Sequence, residues 1–217
     1  MKERPILFSA PMVRAILDGS KTQTRRPVKK NLERIGDGDF YAFDHKGINY
    51  RVNARHSTVA AWAHLLQFCP YGHPGDRLWV RETWQHENYP LGPYDNSCTV
   101  FYRADLMDDP HGPDGEKSPD GKYRTWSPSI HMPRAASRIL LEITAVRVER
   151  LQDISESDAI AEGANVHPDH YGKPRDSIYG PVQAYRDLWE SINGPGNWDE
   201  NPWVWVVEFR RINKQGA

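Results

Sequence analysis

The chain has 217 residues, a formal net charge of −1 and two cysteines. That length fills one core with insertions, so residues 1–217 read as a single domain. The near-neutral charge gives no general attraction to a nucleic-acid backbone or an anionic membrane, and Cys69 and Cys98 are too few for a disulfide framework or a self-sufficient cysteine zinc site. No apolar run reaches the length of a membrane span, and Met1 to Pro5 run straight into Ile6-Leu7-Phe8. The expectation is a reduced cytoplasmic protein with no membrane partner, no leader, no cofactor and no metal.

Ile6 to Phe8 predict a short strand, with Ser9 as a cap and Pro11 in the first turn of a helix. Met12, Val13, Ile16 and Leu17 make its apolar stripe, and Gly19 ends it. Directly behind comes Gly19-Ser20-Lys21-Thr22-Gln23-Thr24-Arg25-Arg26, the densest set of donors and nucleophile-capable groups in the chain. Residues 37–70 read as an insertion, with a hairpin formed by 40–43 and 48–52 and a helix over 57–68.

Pro74-Gly75-Asp76 launches a predicted strand over 78–84 in which Glu82 shares a face with Leu78, Val80 and Trp84. Thr99 to Arg103 predict another strand, and residues 105–122 an acidic loop that should be mobile. From 138 to 151 the chain predicts its longest strand. Ile139, Leu141 and Ile143 keep one phase and Val146 and Val148 the other, so a bulge is expected near Thr144. Ser155 and Asp158 open a short helix ending at Glu162 before Gly163. Pro181 opens another, with Val182, Tyr185, Trp189 and Ile192 inward. Trp203 to Arg210 read as a central strand. This order predicts an α+β fold with a mixed, mainly antiparallel, barrel-like sheet and flanking helices.

Gly19-x-Lys21-x-x-Thr24-x-Arg26 resembles the signature of the ASCH domains, relatives of the PUA fold, whose usual pattern has glutamate where Thr24 stands. The same threonine occurs in the small ASCH amidohydrolases that cleave the acyl group from N4-acylcytidines with a lysine, a threonine and a glutamate. Glu162 takes the place of their glutamate, on the short helix after the long strand. Residues 74–82, 129–134 and 203–209 are similar to the longer, often phage-encoded members, whereas 28–70 and 105–122 are unmatched.

The resemblance implies Lys21, Thr24 and Glu162 as catalytic residues acting on a nucleoside. Arg26, Glu82, Trp84 and His131 become candidates for substrate contact. Two assignments stay open: Thr24 as nucleophile with Lys21 as its base, or Glu162 activating a water while a charged Lys21 holds the oxyanion. Both helix ends favour a Lys21–Glu162 ion pair. In a regular strand Lys21 and Thr24 would face opposite sides, so the chain must bend between them.

Plainer readings stand beside each residue: a solvated basic turn for 21–26, a carboxylate partner for Arg26, an ion pair with Arg81 for Glu82, and core positions for His131 and Trp84. Two functions other than hydrolysis are carried, an RNA-binding or modified-base-reading module touching RNA through Lys29, Lys30 and Arg34, and a ribonuclease.

Overall fold

The computed structural model describes residues 1–28, 33–35, 40–45, 48–53, 66–89, 92–106, 125–164 and 180–212. Most of the helix expected over 57–68 and of the loop expected over 105–122 lies outside them.

The fold is α+β. A five-stranded sheet runs in the order β1 (Glu3–Leu7), β6 (Arg77–Arg81), β9 (Leu140–Arg150), β10 (Trp203–Ile212) and β2 (Gln23–Pro27). Only β1 and β6 pair in parallel; the other ladders are antiparallel. Between β2 and β6, β3 (Glu33–Ile35), β4 (Phe40–His45) and β5 (Ile48–Asn53) form a separate three-stranded sheet that contains the expected hairpin. A two-stranded ribbon joins β7 (Trp84–His86) to β8 (Val100–Tyr102).

Residues of β10 alternate between two cores. Trp205, Val207 and Phe209 join Ile6, Leu78, Leu141 and Val13 of the first helix, α1 (Ala10–Leu17). Val204 and Val206 join Leu151, Tyr185 and Trp189 on the other face, beneath α2 (Glu156–Ala161) and α3 (Pro181–Asn193). Val204, Val206 and Val207 have no exposed surface, so each contributes about 1.5 to 3 kcal/mol through burial. β10 is therefore apolar on both sides because helices cover both sides.

The phase change in β9 is a bulge. Glu208 faces Ala145 and Phe209 faces Ile143, which leaves Thr144 as the extra residue. Before it, Leu141 and Ile143 enter the first core; after it, Val146 and Val148 do, and Arg147 and Glu149 turn to the face covered by α2 and α3.

Among the described residues the sheet is open rather than a closed barrel, with β1 and β2 as its edges. No backbone ladder joins these edges. Instead Arg26 of β2 donates from Nη2 to the Leu7 carbonyl of β1 at 2.7 Å, and its guanidinium lies 5.3 Å from the Phe8 ring. The sheet is curled enough for one side chain to span the gap.

The strand expected over 78–84 breaks at Glu82-Thr83. Glu82 is buried, and its carboxylate takes two hydrogen bonds from Arg138, at 2.9 and 3.0 Å. A carboxylate brought to an apolar face requires a cation there, and the chain leaves the β6 ladder where Arg138 meets it. Arg81, the partner expected from sequence, stacks on Trp79 at 4.6 Å instead.

No helix among the described residues is long and apolar enough to cross a membrane.

Candidate active site

Behind α1 the chain turns at Gly19, whose φ is +86°. Lys21 then meets Glu162 in an isolated antiparallel bridge, and β2 begins only at Gln23. The bend required between Lys21 and Thr24 is supplied here, before regular alternation starts.

Glu162 is the C-cap of α2, a helix opened by Ser155, whose hydroxyl accepts from the Asp158 N–H at 3.1 Å. Lys21 Nζ donates to the Glu162 carbonyl at 2.7 Å and to its Oε2 at 2.9 Å. A cation-capable group thus closes both the last carbonyl of the helix and the carboxylate that the helix dipole disfavours. Gly163, with φ +77°, follows as the left-handed residue, and a Cβ there would lie 3.1 Å from Ala15 Cβ and 3.3 Å from Lys21 Cβ.

The other carboxylate oxygen, Oε1, faces Arg25 Nη1 at 3.3 Å. Arg25 has no exposed side-chain surface and is gripped further by Glu149 and by Asp158 at 2.9 Å. Arg147 ties the same two carboxylates from the surface, at 3.0 Å to Glu149 and 2.9 Å to Asp158. Gln23 completes the clamp by donating to the Asp158 carbonyl at 3.0 Å. Sequence reading gave Arg25 and Glu149 no role at the site and Asp158 only that of a helix cap; the signal lay in the alternation of β2, which puts Gln23 and Arg25 on the opposite face from Thr24 and Arg26.

Burial lowers the pKa of Lys21, against the opposing pull of Glu162. Arg25 makes that physically sustainable. Its guanidinium stays charged and keeps Glu162 balanced when Lys21 gives up its proton.

Thr24 lies opposite Val207 and is buried. Its hydroxyl has no hydrogen-bond partner among the described residues, yet it is not among the polar atoms sealed from solvent. A cavity of about 30 Å³ lies between β2 and α3, lined by Thr24, Arg25, Arg26 and Glu162 and by Tyr185 and Ile192 of α3. One water needs about 10 to 15 Å³ on this measure, so the cavity accepts a group of two or three heavy atoms. Comparison with known protein families, curated proteins and solved structures finds no match. The site is read from its own geometry.

Of the seven sequence-predicted residues, Thr24, Arg26 and Glu162 line this cavity, with Lys21 held behind Glu162. Arg26 meets no carboxylate among the described residues; a carbonyl and an aromatic face hold it. Glu82 and Trp84 lie elsewhere. Trp84 packs with Met132 and Ala136 and meets Tyr94 edge-on at 5.2 Å. His131 is exposed on a short turn between two prolines, where Met132 takes the buried position, so it is neither a core residue nor part of the cavity. Ile192, expected inward, is 51% exposed at the rim. Among the described residues no group of histidine, cysteine or carboxylate side chains is placed to hold a metal ion.

Proposed function

We propose that the protein is an amidohydrolase that removes the acyl group from the exocyclic nitrogen of an N4-acylated cytosine nucleoside. The observation that carries this reading is a threonine whose hydroxyl has no partner among the described residues, in the lining of a small cavity that also contains Glu162, the carboxylate that fixes a fully buried lysine. The resemblance to the ASCH amidohydrolases supplies the substrate class, and a PUA-like ancestry for the curled sheet belongs to the same proposal.

In this reading the acyl group enters the cavity and the nucleoside stays at the rim formed by Ile192 and Asn193. Neutral Lys21 uses its two N–H groups on Glu162 and keeps a lone pair. It takes the Thr24 proton as Oγ1 attacks the acyl carbonyl carbon. The tetrahedral adduct collapses by breaking the bond from that carbon to N4, and the proton passes from Lys21 to the leaving nitrogen. Water then hydrolyses the acyl-threonine ester and frees the carboxylic acid. Glu162 positions Lys21 throughout, and Arg25 braces its other carboxylate oxygen.

The test is to incubate the protein with N4-acetylcytidine and follow cytidine release, with Lys21→Ala and Thr24→Ala as controls that abolish it. No release from this substrate or from bulkier acyl analogues overturns the proposal. Salt-dependent RNA binding in its place would support the RNA-reading alternative.

A further inference from the structure

Attack by Thr24 puts negative charge on the acyl oxygen, and a site that hydrolyses an amide needs a donor aimed there. The donors around the cavity are largely committed. Arg25 is held by Glu149, Asp158 and Glu162. Arg26 Nη2 is on the Leu7 carbonyl, and its Nε, although without a partner, is sealed from solvent. Asn193 Nδ2 donates to the Trp189 carbonyl at 3.0 Å. Lys21 is spent on Glu162.

Tyr185 remains. It lines the cavity from α3 and is 3% exposed, and nothing among the described residues accepts from or donates to its hydroxyl. Unlike Arg26 Nε, that hydroxyl is not sealed. A hydroxyl that reaches the cavity without a protein partner is free to donate to a group that enters it. The ring is immobilised on three sides, by the Arg25 guanidinium 6.0 Å from its centroid, by Trp198 edge-on at 6.2 Å and by Trp189 at 6.2 Å.

We infer that the Tyr185 hydroxyl donates the hydrogen bond that holds the acyl carbonyl oxygen, and the oxyanion it becomes, in the cavity that Tyr185 and Thr24 both line. The inference rests on the hydrolase reading and adds to it the group that binds the reacting oxygen. Burial raises the pKa of Tyr185 well above its ordinary value, and the charges of Glu162, Arg25 and Arg26, which all line the cavity, act on its hydroxyl. It therefore keeps its proton and serves as a donor across the working pH range; no proton leaves it in the reaction.

Tyr185→Phe in the full chain tests this. N4-acetylcytidine turnover falls about 100- to 1,000-fold in kcat with a smaller change in KM, while the urea midpoint holds or rises because only an unpaired hydroxyl is lost. A Y185F protein that keeps the parent kcat, alongside an inactive Thr24→Ala, overturns the inference and leaves the hydrolase reading standing. A lowered midpoint in Y185F overturns the premise that the hydroxyl is unpaired. A parent inert toward all acyl analogues overturns both readings.

Discussion

Replacing Glu162 with Gln preserves the side chain's shape and removes the charge that faces Lys21 Nζ at 2.9 Å. Lys21 is then a wholly buried amine whose charged neighbours, Arg25 and Arg26, both push its pKa further down. It folds neutral, whereas the unfolded chain keeps it cationic up to its ordinary value of 10.5. At pH 7 stripping that proton costs at most about 4.8 kcal/mol, at about 1.36 kcal/mol per pH unit. The parent already carries part of this cost through burial, so the loss on substitution stays below that ceiling.

The sign follows from proton counting. A folded pKa below the unfolded one means that the unfolded state binds the extra proton between the two, so stability rises with pH across that interval. Urea unfolding of E162Q at pH 7, 8, 9 and 10 should therefore show a gain of up to about 4 kcal/mol from first to last. A variant equally stable at all four would mean that Lys21 keeps its proton without Glu162, which would refute the argument that burial makes it a base.

Other consequences are accessible with single variants. Thr24→Ala should lose turnover while its stability changes by less than about 1 kcal/mol, since the hydroxyl has no partner among the described residues; a large drop in the urea midpoint would contradict this. In the parent, kcat/KM should climb with pH and level off below 10.5, where the lowered pKa leaves Lys21 neutral; a rate that falls over that range would favour the charged-lysine assignment. Arg138→Met leaves buried Glu82 without its cation, at a cost of about 3 to 5 kcal/mol at pH 7. Burial already raises the Glu82 pKa, so stability tied to its protonated form is present below 4.5 and lost as pH rises. The R138M deficit should accordingly shrink at pH 4.5, and an equal deficit at both values would remove Glu82 from the account. Gly163→Ala should cost about 1 to 2 kcal/mol through its left-handed backbone and also slow turnover, because the new methyl meets Lys21 Cβ at 3.3 Å; unchanged kcat would separate Gly163 from the site.

Local rules carried the sequence reading wherever a residue's neighbours in the chain decided its place. Ser155 and Asp158 cap a helix by their spacing, Gly19 and Gly163 sit at positive φ after helix ends, and two valines out of phase announce a bulge. The pairing of Lys21 with Glu162 was legible for a similar reason, since Lys21 follows a helix end that favours a cation and Glu162 caps one where a carboxylate needs a cation facing it. Partners supplied from far along the chain were not legible. Glu82 is met by Arg138, 56 residues away, and not by its neighbour Arg81. Arg26 answers a carbonyl on the opposite sheet edge. Arg25 was hidden because its three carboxylates come from β9 and α2, and nothing near it in sequence hints at them. Barrel closure failed as an expectation because curl alone does not bring two edge backbones within ladder distance; a long side chain can bridge them first.

The extra residue in β9 has a reach beyond its own strand. Were Thr144 deleted, Arg147 and Glu149 would swing into the apolar core and Val146 and Val148 would face Arg25 in their stead, so the guanidinium would lose Glu149 and the outer brace on Asp158. One residue of length, with no chemistry of its own and no contact with the cavity, thus acts as a reading frame for the site. Any change of length in this strand preserves the site only if its parity is restored before residue 147.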